Sequence, residues 1–252
     1  MPLAATFTRL AQRLELAMLR AGPGLSLGIR FRGRHHVATE SAFLDLYGGL
    51  LARGVLIQSL NEAFNLWDLA RQTAPLGAAM AEFGVYKGGS ARLLCGVKAS
   101  RPLHLFDTFG ELGGMPETRP DIDTTHRKGD FADSRLPEVR ALLDGQPDVH
   151  VHAGFFPGSA AGLESERFSF VHLDVDIYQS TLDGLRFFYP RLVPGGILVS
   201  HDYGYRPTPG VKRAFDEYFA GSTQTVLRLW DTQCVVVKPP GAGSVDQTRA
   251  TA

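Results

Sequence analysis

Asp174, Asp176, His201 and Asp202 have the types and spacing from which chemistry can be built. Each pair follows an apolar run. Phe168 to Leu173 stops at Asp174, and Ile197 to Val199, opened by Gly195 and Gly196, ends in Ser200, His201 and Asp202. Buried parallel strands, covered on both faces, read this way. In an open α/β sheet, ligands bind outside the carboxyl ends of the strands. Two neighbouring strands would therefore deliver all four groups to one rim. Carboxylates and an imidazole meeting there suit a hard divalent ion and a proton acceptor. A reading as turn formers and caps explains less, because caps rarely end two successive core strands with this much charge.

A second candidate site lies earlier in the chain. Residues 77–100 read as a strand, a glycine loop and a helix, the loop running Glu82-Phe83-Gly84-Val85-Tyr86-Lys87-Gly88-Gly89 before Ser90. Glycines at a strand-to-helix turn let a ligand approach the backbone, and a helix N-terminus favours an electron-rich group. A dinucleotide fingerprint would read G-x-G-x-x-G; here the spacing is E-x-G-x-x-x-G-G. An acid before the first glycine repels a pyrophosphate and suits an ammonium, which favours a ligand with an amino-acid moiety such as S-adenosylmethionine (SAM). Residues 102–107 form the next strand and end in Asp107, placed to hold ribose hydroxyls. Thr108 and Phe109 begin a long polar loop, 108–134, with Asp130 and Phe131 near its end. A loop of that length in a compact domain is usually functional. It is expected to lie over the cofactor or acceptor, with His126 either a substrate contact or, more readily, a solvated loop residue. Gly154 and Phe155 follow the strand in 148–158, where an adenine can be sandwiched; His150 and His152 share one face of that strand as packing or surface residues.

These groups need a scaffold, and the composition provides for one. The chain has 252 residues, 44% hydrophobic and 21% charged, with zero formal net charge. That is one globular domain with additions. The charge balance gives no support for nucleic-acid or membrane-surface binding, and no apolar run is long enough to span a bilayer. Cys95 and Cys234 are too few for a disulfide scaffold and read as reduced thiols of a cytosolic protein. Residues 6–20 pattern as an amphipathic helix, residues 27–31 as a short edge strand, and 41–73 as two helices capped by Ser41 and Asn61. The adjacent His35 and His36 fall on opposite sides of an extended chain, a poor metal pair. Further helices are expected over 134–145, over 180–190 with a Ser180 cap and a stop at Pro190, and over 211–221. Residues 225–238 read as a terminal hairpin, and 239–252 as a disordered tail.

Three stretches together, EFGVYKGGSARLL (82–94), LHLFDTFGEL (103–112) and FVHLDVDIYQSTLDGLRFFYPRLVPGGILVSHDYG (170–204), resemble the macrocin-type (TylF/MycF) family of SAM-dependent O-methyltransferases. The resemblance covers about residues 79–219, and the first 78 residues do not clearly match. It implies an α/β class I methyltransferase fold, a Rossmann-like seven-stranded sheet with an antiparallel last strand and helices on both faces. It also implies SAM as donor and a divalent metal, usually magnesium. The expected layout is a helical extension over 1–77 serving as a lid or dimer face, a methyltransferase domain over 78–238, and the tail. Donor contacts are expected from Glu82, Gly84, Val85, Tyr86, Gly88, Ser90, Asp107, Thr108, Phe109, Asp130, Gly154, Phe155 and Asp174. The family's metal acids fall on Asp174 and the pair His201–Asp202, and its proposed general base falls on Asp176. Where the family has Asp-Asp-Tyr, this chain has His201-Asp202-Tyr203. An imidazole in place of a hard oxygen shifts preference from magnesium toward zinc, iron or manganese, weakens metal dependence, or leaves His201 itself as a base.

The expected function is a cytoplasmic, metal-assisted O-methyltransferase acting on a hydroxyl of a small natural-product sugar or phenol, with a homodimer as the candidate assembly and without nucleic-acid or membrane partners. Three rivals remain in view. A nicotinamide oxidoreductase does not explain the glycine spacing and lacks a strong Tyr-x-x-x-Lys pair. A metal-dependent glycosyltransferase would use the DxD motif Asp174-Val175-Asp176 but leaves the glycine loop without a role. A non-catalytic SAM-binding protein would have His201 as the change that disables the metal site.

Overall fold

The structure, a computed structural model, describes residues 35–240 together with Arg13, Leu16 and Ala17. Seven strands form one sheet: β1 (Ala79–Phe83), β2 (Leu103–Asp107), β3 (Val149–Ala153), β4 (Phe168–Leu173), β5 (Leu192–Ser200), β6 (Leu227–Arg228) and β7 (Cys234–Val237). Their spatial order is β3-β2-β1-β4-β5-β7-β6. The first five run parallel, and β7 is antiparallel to both of its neighbours. The chain order reverses between β1 and β4, the switch point where such sheets leave a crevice.

Both faces of the sheet are covered, so its strands are apolar on alternate positions in both directions. Met80, Leu105, Phe170, Val199 and Val235 face one core. It is closed by α2 (Ser41–Arg53), α3 (Leu60–Gln72), α4 (Gly89–Cys95) and α5 (Leu136–Leu142). Ala81, Phe106, Val171, Leu198 and Val236 face the other, closed by α6 (Tyr178–Arg191) and α7 (Pro209–Tyr218). The helices ahead of β1 thus share the sheet's own core, through Phe43, Tyr47, Phe64 and Trp67. Among the described residues no helix is long and apolar enough to cross a membrane.

Several local expectations change. The α3 cap is Ser59, not Asn61: its Oγ accepts the Glu62 N–H while the Glu62 carboxylate accepts the Ser59 N–H, a reciprocal capping box. Helix α2 has no side-chain cap at Ser41, although Gly54 ends it in the left-handed conformation (φ 69°). Helix α6 begins at Tyr178, two residues before Ser180, and Pro190 lies within its last turn. The Tyr178 N–H is taken instead by Asp123 Oδ1 at 2.9 Å, a cap supplied by the long loop. Helix α5 starts at Leu136 with Pro137 in its first turn, and the segment 211–221 is helical over Pro209–Tyr218. His35 and His36 open a short helix, α1 (His35–Ala38), rather than an extended segment. Of the helix expected over 6–20, Arg13, Leu16 and Ala17 are helical and Leu16 is buried in the core; its other residues, the strand expected over 27–31 and the tail from 241 lie outside the described residues.

His104, His150 and His152 stack on the β2–β3 edge, with His104 Nδ1 3.0 Å from His152 Nε2. His104 is 6% exposed. Burial, then the neighbouring His152 and His150, push it down to about 4, against weaker opposing pulls from Glu166 and Asp148. The folded state therefore keeps His104 neutral while an unfolded chain takes up a proton below about 6.5. Stability from this site is present above that pH and is lost as pH falls toward 4. The expected loss between pH 7 and pH 4.5 is ~2–3 kcal/mol. Urea midpoints should fall across that interval in the wild type and clearly less in His104→Phe; equal losses would exclude this origin.

Candidate functional site

The rim of the sheet is an extension of its ladders. Past the strand ends, the Gly84 N–H bonds to Phe106 O and the Gly154 N–H to Asp107 O, both at 2.9 Å. The Asp174 N–H bonds to Phe83 O at 2.9 Å and the His201 N–H to Leu173 O at 2.8 Å. Gly84, Asp107, Gly154, Asp174 and His201 are thereby held in a row. Above them lies a cavity of about 410 Å³.

One end of the cavity belongs to the glycine loop. A Cβ on Gly84 (φ 94°) would sit 1.9 Å from the Asp174 carbonyl oxygen, so only glycine allows the β1 and β4 ends to approach this closely. Asp107 accepts the Val85 and Tyr86 N–H groups on Oδ2, at 2.7 and 2.9 Å, and the Phe109 N–H on Oδ1 at 2.6 Å. The acid expected to hold a ribose thus also staples the loop, and burial raises its pKa against the pull of those amides. Val85, Tyr86, Ser90, Thr108, Gly154 and a half-exposed Phe155 complete this end.

The other end is acidic. His201 Nδ1 lies 3.7 Å from Asp174 Oδ1 and 3.9 Å from Asp202 Oδ2, and its Nε2 lies 3.6 Å from Glu62 Oε1. Burial alone would push His201 down, but Asp174, Glu62 and Asp202 outweigh it and lift the ring to about 10. Glu62 responds in kind: burial opposes ionisation, yet His201, Thr232 and the Ser59 N–H hold its carboxyl well below the usual range. Asp176 moves the other way. Burial, then the charges of Asp174 and Asp202, raise it well above the ordinary carboxyl value. Asp176 and Asp202 both hold φ near 60°, a conformation that costs a non-glycine residue ~1–2 kcal/mol and that concentrates at functional sites.

The four residues read first from the sequence do meet, and Gly84, Val85, Tyr86, Ser90, Asp107, Thr108, Gly154 and Phe155 line the same cavity. Four expected donor contacts lie elsewhere. Glu82 is fully buried behind the loop with Oε1 2.8 Å from His172 Nδ1. Gly88 packs toward Val139 and Leu142, and Phe109 is in the core. Asp130 accepts the Arg127 N–H and sits 3.3 Å from His126 Nδ1. His126 is no free loop histidine: its Nε2 is 3.6 Å from Asp176 Oδ1. Sequence reasoning missed Gln58, whose amide donates to Asp174 Oδ2 at 2.9 Å. It also missed Glu62 and Thr232, which bond to each other at 2.7 Å beside His201. Only the capping-box spacing of Ser59 and Glu62 was a usable signal.

The profile of the TylF macrocin O-methyltransferases matches residues 61–238, well over half the chain. The chain belongs to this family. Among curated proteins, it is 32% identical over 141 residues to 8-demethyl-8-(2,3-dimethoxy-α-L-rhamnosyl)-tetracenomycin-C 4'-O-methyltransferase of Streptomyces olivaceus, covering 49% of this chain and 52% of that one. Against mycinamicin III 3''-O-methyltransferase of Micromonospora griseorubida it is 36% identical over 153 residues, 54% of this chain and 58% of the other. The chain thus spans about half the length of the curated relatives it matches. The fold is that of the calicheamicin methyltransferase CalS11, with TM-score 0.65, 17% identity and 90% and 91% of the two chains covered. It also matches the O-methyltransferase NovP, with TM-score 0.60, 23% identity and 72% and 81% covered. Val55, Ile57 and Gln58 line the cavity from outside the matched residues.

Proposed function

We propose that this chain transfers the methyl group of SAM to a hydroxyl of a small molecule, a natural-product sugar, such as the rhamnosyl group in one curated relative's name, or a phenol. One observation carries the reading. The cavity lining includes five carboxylates, Glu62, Asp107, Asp174, Asp176 and Asp202, and among the described residues no lysine or arginine. Such a lining repels the pyrophosphate of a dinucleotide or nucleotide sugar and attracts a donor with a sulfonium and an ammonium group. That weighs against both the oxidoreductase and the DxD glycosyltransferase readings.

The acceptor oxygen bonds to the methyl carbon as the sulfur–carbon bond breaks, leaving an ether and S-adenosylhomocysteine (SAH). Holding the two reactants in line is worth ~7–11 kcal/mol, and the rigid rim of strand ends provides that placement. The hydroxyl proton goes to Asp176, whose raised proton affinity suits it to accept one. His201 is poorly placed to do so, because its three carboxylate neighbours favour the ring already charged. It serves here as a counter-charge that steadies Asp174, Glu62 and Asp202.

A divalent ion fits the same residues. Asp174, His201 and Asp202 each offer a ligand atom within 4.8 Å of the others. His201 Nδ1 is the nitrogen beside Asp174 and Asp202, while Nε2, toward Glu62, is buried without a hydrogen-bond partner, and the cluster has more carboxylates than cations. Asp174 and Asp202 would give hard oxygens and His201, with the ion in place of its ring proton and so no longer itself the counter-charge, a nitrogen, a set more suited to manganese than to magnesium. When bound, the ion supplies Lewis acidity toward an acceptor oxygen.

The test is incubation with methyl-labelled SAM and a panel of rhamnosides and phenols, followed by mass spectrometry. A labelled O-methyl product with stoichiometric SAH is expected. SAH binding without turnover across the panel would instead favour the non-catalytic reading.

A further inference from the structure

The cavity is small for what a methyl transfer must bring together. At about 410 Å³ it is near the lower end of the range that a single drug-sized ligand occupies, roughly 300–1,000 Å³. On the SAM reading proposed above, the donor takes the glycine-loop end and fills most of that space. The acceptor can insert its reacting hydroxyl between Asp176 and His201, while the rest of it lies across the mouth.

Three separate segments meet around this end: two carry residues that line the cavity, and the third carries Trp230 two residues before the lining Thr232. Ile57, in the loop between α2 and α3, is 56% exposed, and Tyr205, just past β5, is 47% exposed; both line the cavity. Trp230, in the turn between β6 and β7, is 84% exposed, the most exposed of the large apolar residues described. Its turn is fixed at the acidic end. Asp231 Oδ2 accepts bonds from Ser59 Oγ at 3.0 Å and Asn61 Nδ2 at 3.1 Å. Thr232 donates to Glu62 and lies 3.4 Å from His201 Nδ1. Gly204, next to Tyr205, closes the circuit against the β6 residue Arg228: a Cβ there would be 3.3 Å from the guanidinium carbon. Trp230 thus stands two residues before Thr232, which lines the cavity, on a turn anchored to the start of α3; an aromatic ring left exposed on such a turn offers a flat apolar face for recognition. Ile57 lies outside the residues matched to the family.

We propose that the acceptor carries its reactive hydroxyl on a planar, apolar body, and that this body packs on Trp230 and Tyr205, which thereby select the acceptor. The inference rests on the methyltransferase reading. The competing acceptor is a sugar still attached to a nucleoside diphosphate. The exposed Arg206 and Arg228 would serve its phosphates, but the carboxylates just inside the mouth oppose them.

Trp67 and Trp230 are the only tryptophans, and Trp67 is buried. A Trp67→Phe background therefore makes the fluorescence report on Trp230 alone. The experiment titrates the SAH complex of that protein with 4-methylumbelliferyl α-L-rhamnoside, with methyl α-L-rhamnoside and with TDP-rhamnose. Calorimetry on otherwise wild-type protein gives the affinities. Saturable quenching of Trp230 by the umbelliferyl probe is expected, with affinity at least ten-fold above either other sugar. Trp230→Ala and Tyr205→Ala should each weaken the probe about ten-fold and leave SAH affinity within two-fold. Equal or tighter binding of TDP-rhamnose, absence of saturable quenching, or unchanged probe affinity in both variants would each overturn the proposal while leaving the methyltransferase reading intact. Failure of the wild type to bind SAH would remove that reading, and this proposal with it.

Discussion

Asp176→Asn should lower kcat by roughly 10²–10⁴-fold, the range that positioned acid–base groups contribute, and leave SAH affinity within about two-fold. The substitution keeps the side-chain shape. Asparagine also tolerates the left-handed backbone (φ 60°) at this position, so the change isolates the carboxylate. The reasoning is local: Asp176 lines the cavity beside Asp174 and Asp202, and burial with those two charges raises its affinity for a proton. In the proposed arrangement the donor sits against Gly84, Asp107 and Gly154, on other strand ends, so binding and turnover should separate. Single-turnover kinetics and calorimetry on the same preparation check this. A variant that loses SAH binding in proportion to turnover would show that the two ends of the cavity are not distinct.

Gly84→Ala should have the largest effect on stability and on donor binding together. The new Cβ would lie 1.9 Å from the Asp174 carbonyl oxygen and 2.7 Å from its carbon. Neither atom is the far end of a flexible side chain, so backbone must move. The left-handed backbone adds ~1–2 kcal/mol to an overpacking cost of ~1–3 kcal/mol. Both strand ends that define the site would shift. The expected outcome is destabilisation by about 3 kcal/mol or more in urea unfolding and loss of measurable SAH binding. Gly113→Ala is the control: its φ of 92° is similar, but nothing lies within 4 Å of the added methyl. It should show only the backbone cost and retain SAH. If the two variants behave alike, close approach at Gly84 is not what matters.

How much of this was legible in the sequence depended on how local each signal was. The run Phe168 to Leu173 coincides with β4 because a buried parallel strand needs apolar side chains on both faces and must stop where charge begins. The same logic located β1, β2 and β5 and brought Asp174, Asp176, His201 and Asp202 to one rim. Helix ends were less legible. Ser180 looked like a cap, but the α6 start is satisfied by Asp123, a residue of the long loop whose partner lies 55 positions away. Gln58 and Thr232 were invisible for the same reason. Gln58 reaches Asp174 across 116 positions, and Thr232 reaches Glu62 across 170. A hydrogen bond between distant segments leaves no periodicity to read. Glu82 shows the opposite failure. Its position before the glycine loop matched a donor contact, but β1 alternation turns it to the buried interior against His172. Likewise His126 looked solvated, and only the folded loop carries it over Asp176.

On the proposed function, the acidic cavity holds SAM at the glycine loop. Calorimetric titration of the purified protein with SAH, NADH and UDP-glucose, each with and without Mn²⁺, tests it without knowledge of the acceptor. Saturable SAH binding is expected, with no binding of NADH and no binding of UDP-glucose under either condition. At 100 times its Kd, SAH should then add about 2.7 kcal/mol to stability, visible as a rise in Tm. Binding of UDP-glucose with Mn²⁺ and none of SAH would contradict it, and would turn Asp174 and Asp176 into the metal site of a sugar-nucleotide enzyme.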